Sequence, residues 1–145
     1  MDRFRLHRVL DYRRQREENC AHTLCQVQLL LQQEETQLET LQIEARAQEE
    51  HLENVRGAAL TPAELQSWQR YHQVLAQWIA VQQDVVAQAA QVVLEQRQQL
   101  LVARQETKAI EKLRDKAKQR YLRELTSREQ QLLDELALTR SRHER

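Results

Sequence analysis

The 145 residues contain one glycine, Gly57, and one proline, Pro62, close together before the middle of the chain. A chain with so few breakers cannot make many turns, so it must fold into very few elements. Gly57 suits the left-handed conformation that ends a helix. Thr61-Pro62-Ala63-Glu64 supplies an N-cap hydroxyl, a first-turn proline and a glutamate three residues after the cap, which together form a helix start signal. The sequence predicts helix 1 over about 3–56, a turn over about 57–61 and helix 2 over about 62–140, all in a single coiled-coil domain, 1–145.

Charged residues make up 30% of the chain and aromatics only 4%. Glutamine, glutamate, leucine, arginine and alanine dominate, all of them strong helix formers. Disorder is a poor reading because the apolar residues recur on a period. In helix 1 they alternate four and three apart, from Leu6 and Leu10 through Cys20, Leu24, Val27 and Leu31 to Leu52 and Val55. Arg13, Glu17, Glu34 and Gln48 are the polar exceptions on that stripe. Helix 2 has a matching stripe running from Leu65, Trp68, Leu75 and Ile79 to Leu100, Ala103 and Ile110, interrupted by His72, Gln82, Gln96 and Thr107. A 3.5-residue period buries a narrow seam against one partner helix, and a short connection makes the two helices antiparallel. The expected fold is all-α, two long helices forming an antiparallel coiled-coil hairpin.

At ~1.5 Å per residue, helix 1 spans roughly 80 Å and helix 2 roughly 115–120 Å, so the second overhangs the first. Pairing outward from the turn sets Leu6 near residue 112 and leaves about 115–145 as an amphipathic helix without an intramolecular partner. Its stripe runs through Leu113, Ala117, Tyr121 or Leu122, Leu125, Leu132 and Leu136.

Two further surfaces remain. Helix 2 carries a second apolar row, Tyr71, Val74, Trp78, Val81, Val85 and Val92, about 100° around from its seam. This row either widens the hairpin's core or marks a partner site, and the residues around Val74 and Trp78 favour the partner site. The charges are also segregated. Residues 1–16 hold six arginines against two aspartates, 17–64 ten glutamates against two arginines, and 108–128 eight basic residues against three acidic ones. Folding the hairpin brings the two basic segments together, either as a solvated face or as a surface for an acidic protein. The large acidic stretch argues against nucleic acid as a partner.

The sequence offers no catalytic chemistry. Two packed helices make no water-excluding pocket, and a single glycine cannot build a phosphate or dinucleotide loop. Cys20, His22 and Cys25 point around a helix at about 0°, 200° and 140°, so they do not converge on a metal, and the two cysteines cannot pair with each other. No apolar run approaches the ~18–20 residues of a membrane span, and the start of the chain lacks a secretory signal, so a cytoplasmic, non-enzymatic protein without cofactors is expected.

The N-terminal run Phe4-x-Leu6-x-x-Val9-Leu10-x-Tyr12-Arg13 resembles the opening of the flagellar type III export protein FliJ family. Glu111-Lys112-Leu113, Tyr121, Glu124, Glu129-Gln130 and Leu133-Asp134-Glu135 are similar to that family's C-terminal half, and Trp68-x-x-Tyr71-x-x-x-Leu75 to the start of its second helix. The resemblance covers nearly the whole chain. It implies a coiled-coil stalk, monomeric when free, that inserts in the hexameric export ATPase ring and links it to the cytoplasmic domain of the membrane export gate. It also implies a role in handling export chaperones. On this reading Tyr71, Val74, Trp78 and Val81 meet the gate, while Arg3, Arg5, Arg8, Arg13, Lys112, Lys116, Arg120 and Tyr121 meet the ATPase ring. The protein would lie at the cytoplasmic face of the inner-membrane export apparatus, without inserting in the bilayer. The alternatives are the equivalent stalk of a virulence type III secretion system and an oligomeric coiled-coil scaffold.

Overall fold

The computed structural model describes residues 3–55 and 60–144. It is all-α, with helix α1 spanning Arg3–Val55 and helix α2 spanning Pro62–His143. The start of α2 follows its local chemistry. The Glu64 N–H donates to the Thr61 hydroxyl at 3.3 Å and the Leu65 N–H to the Thr61 carbonyl at 3.1 Å. The hydroxyl thus satisfies one of the donors that a helix start leaves open, and the Thr61 carbonyl accepts the first intrahelical bond. Gly57 and most of the expected turn lie outside the described residues.

The helices pair within two units, Met1–Glu17 with Val102–Arg145 (unit 1) and Glu18–Leu101 (unit 2). In unit 2, Gln82 contacts Glu34, Tyr71 contacts Glu44, and the Trp68 ring lies 5.3 Å from that of His51. Partner numbers on α1 rise as those on α2 fall, so the pairing is antiparallel. Unit 1 shows the same sense, with Arg14 against Glu111 and Glu17 against Arg104.

The buried seam is the 3.5-residue stripe. Leu75 and Val93 are buried in α2 of unit 2, Leu10 in α1 of unit 1, and Leu100 and Ala103 lie buried further along α2. The remaining α1 stripe positions, polar exceptions included, are half-buried. Two polar α2 seam residues are also buried, Gln82 at 7% exposure and Thr107 at 4%. Leu65 and His72, expected in the seam, are exposed. Leu65 lies in the first turn of α2, while His72, between half-buried Trp68 and buried Leu75, sits at the wet edge of the seam 3.5 Å from Glu49. In unit 1, every residue of α2 from Lys112 to Glu144 is exposed.

Candidate partner surfaces

The second apolar row of α2 does not join the core. Val74, Trp78 and Val81 are exposed, with Trp78 at 56% and Val81 at 62%, while Val85 is half-buried and Val92 exposed. The spacing of four, three and four from Val74 to Val85 aligns these residues along one helix face as an apolar strip beside the seam, and Val92 follows seven residues later beyond Gln88.

Tyr71, at one end of the strip, is tied down. Its hydroxyl donates a short hydrogen bond to the Glu44 carboxylate on α1. That bond, helped by desolvation and by the negative charge of Glu44, raises the phenol above its usual pKa of 10.0. Around it, the His72 imidazole sits 3.5 Å from Glu49, and a cavity of about 70 Å³ is lined by Gln48, Glu49, Leu52, Trp68, Tyr71 and His72. The buried Gln48 side-chain oxygen has no protein partner. A polar group beside a cavity of this size suits an ordered water.

The second surface lies in unit 1. Arg5 and Arg8 are exposed on α1, and Lys112, Lys116, Arg120 and Tyr121 are exposed on α2; the Arg3 side chain is outside the described residues. The antiparallel register set by Glu17–Arg104 and Arg14–Glu111 brings Arg8 and Arg5 beside the α2 turns that carry Lys112 and Lys116. Arg13 is engaged differently. Its Nη1 donates to Glu106 Oε2 at 2.6 Å, and Arg16 Nη1 donates to the same oxygen at 3.1 Å. The sequence marked Arg13 as a polar interruption of the seam, but it did not single out Glu106 as a carboxylate shared by two arginines.

Leu113, Leu122, Leu125, Leu132 and Leu136 are exposed along α2. Cys20 is half-buried and Cys25 exposed, both as free thiols. Among the described residues no cluster of three or more His, Cys, Asp or Glu is placed to hold a metal ion, and no helix is long and apolar enough to cross a membrane.

Comparison with curated proteins and with solved structures gives no match. The family model described as "Flagellar FliJ protein" matches residues 1–145, the whole length. With its two long helices pairing antiparallel, the chain is a coiled-coil protein associated with flagellar type III export, and it belongs to the flagellar FliJ family.

Proposed function

We propose that the chain acts as one coiled-coil stalk that inserts into the hexameric flagellar export ATPase ring and reaches the cytoplasmic domain of the export gate. It helps couple ATP hydrolysis to proton-driven export and assists export chaperones. In this reading the basic surface of unit 1, with Arg5, Arg8, Lys112, Lys116 and Arg120, meets the ATPase, joined by Arg3 and Tyr121. Arg13 contributes through its hold on Glu106. Tyr71, Val74, Trp78 and Val81 in unit 2 meet the gate. The working form is a monomer at the cytoplasmic face of the inner membrane.

The observation that carries this reading is the exposure of the Val74–Trp78–Val81 strip on a helix whose seam is already filled. Exposed contiguous apolar surface favours a protein partner over solvent. The basic surface adds a second, chemically different contact in a different unit, as a linker between two partners requires.

The experiment pairs Val74→Asp with Trp78→Asp and measures two readouts. Binding to the gate's cytoplasmic domain should be lost, while stimulation of the purified hexameric ATPase should persist. Retained gate binding in a folded double variant would remove the strip from the interface. A second reading, an oligomeric scaffold, draws support from the exposed leucines Leu122, Leu125, Leu132 and Leu136. Mass in solution separates the two, since the stalk runs as a monomer and the scaffold does not.

A further inference from the structure

The two units hold their helices together by different means. In unit 2 the α1 side of the seam is mostly aliphatic, with Leu24, Val27, Leu31, Leu38 and Leu41 half-buried against α2. In unit 1, the apolar seam residues that α1 supplies among the described side chains are Leu6, half-buried, and Leu10, fully buried, and its next two seam positions are Arg13 and Glu17. Opposite them lie the small buried residues Ala103 and Thr107. The Thr107 hydroxyl is within hydrogen-bonding distance of the Arg13 carbonyl at 3.3 Å and the Ala103 carbonyl at 3.0 Å.

Ion pairs fill the place of the missing aliphatics. Glu106 Oε2 accepts from Arg13 at 2.6 Å and Arg16 at 3.1 Å, Arg14 meets Glu111 at 3.5 Å, and Arg104 meets Glu17 at 3.6 Å. These side chains remain roughly one-third to one-half exposed, so water and ions reach them. Pairs of this kind contribute little each and weaken with salt. Once undocked, this end of α1 is held only as the terminal turns of a longer helix, and helix ends without tertiary packing fray and exchange their amides more readily.

We infer that residues 5–17 form an electrostatic clasp on α2, opened by a polyanionic protein surface that takes Arg13, Arg14 and Arg16 away from Glu106 and Glu111. The exchange is chemically even, one carboxylate for another at each guanidinium. It is favoured where several carboxylates are presented together, because a second and third contact follow at high effective concentration. Opening uncovers Ala103, Thr107 and Ile110, which lengthens the exposed apolar face of α2 that continues through Leu113. The inference stands on the ion pairs alone and does not depend on which protein supplies the acidic surface.

Amide hydrogen exchange on the full-length chain tests it. Raising NaCl from roughly 0.02 to 1 M should speed exchange of amides 9–17 about five- to tenfold while leaving amides 24–52 unchanged. Glu106→Gln should give a similar rise at low salt and remove most of the salt dependence. Polyglutamate at matched ionic strength should open the clasp far more effectively than NaCl. The inference is overturned if both segments respond to salt alike, if neither responds, if the variant exchanges like the parent, or if polyglutamate does no more than NaCl. The salt and polyglutamate series need no substitution, so a poorly folding variant leaves the test intact, with amides 24–52 as the internal folding control.

Discussion

Gln82, in the buried seam of unit 2, donates from its side-chain amide to both the backbone carbonyl of Glu34 at 3.0 Å and the Glu34 carboxylate at 2.6 Å. Both residues interrupt apolar stripes, and they meet each other. A polar pair inside a seam contributes little net stability, but it penalises every register in which either partner faces an aliphatic side chain.

Gln82→Ala is therefore expected to cost about 1–2 kcal/mol, because Glu34 loses its partner while still partly desolvated. Replacing both residues, Gln82→Leu with Glu34→Leu, should be neutral or stabilising. The double variant should also populate shifted pairings, seen as broadened distances between spin labels at 27 and 92. Chemical denaturation at constant m-value measures the first effect. A double variant that keeps one sharp distance would deny the pair its role in setting register.

Tyr71 gives a pH prediction. Hydrogen bonding to Glu44, with smaller contributions from desolvation and charge, holds the phenol protonated above its ordinary pKa of 10.0. A group whose pKa is raised by folding stabilises the fold fully below its unfolded value and loses that contribution as pH rises through the folded value. Stability should fall on alkaline titration beyond pH 10, and Glu44→Gln should return the Tyr71 titration toward the ordinary tyrosine range. Ultraviolet titration in a background lacking Tyr12 and Tyr121 reads this directly. An unchanged midpoint in the variant would show that the bond does not persist in solution.

The two apolar rows of α2 should separate cleanly under truncation. Leu75 is fully buried, whereas Val81 is 62% exposed. Leu75→Ala is expected to destabilise by about 2–4 kcal/mol through lost burial and the space left behind. Val81→Ala should stay within about 0.5 kcal/mol. Thermal unfolding of both variants checks the contrast, and a large loss for Val81→Ala would move the second row into the core.

The seam was legible in the sequence because helical geometry leaves a 3.5-residue period little freedom, so Leu10, Leu75, Val93, Leu100 and Ala103 are buried where their spacing put them. Leu65 and His72 share that spacing but are exposed, since period assigns a face and not how deeply a given side chain is covered on it. The second row raised two outcomes, and period could not choose between them. Its exposure at Val74, Trp78 and Val81 depends on where α1 sits against α2. Ion pairing was the least legible part. A long arginine side chain reaches carboxylates on more than one turn, so Arg13 and Arg16 converging on Glu106 follows from three-dimensional register alone.

Lys112, Lys116 and Arg120 lie four residues apart in one exposed row along α2, and the antiparallel register brings Arg5 and Arg8 near the start of that row. Exposed charges arranged in a row mainly raise association rate and fix orientation, and their effect falls with ionic strength. Under the proposed function, Lys112→Glu with Lys116→Glu and Arg120→Glu should weaken ATPase binding roughly tenfold at low salt, with a much smaller difference at high salt. Helix content should change little, since these residues take no part in the seam. Gate binding through Val74 and Trp78 should survive, because those residues lie in unit 2. ATPase stimulation measured across a salt series, with circular dichroism as the folding control, decides the matter. A response identical to the parent at every ionic strength would reduce the basic row to a solvated helix face.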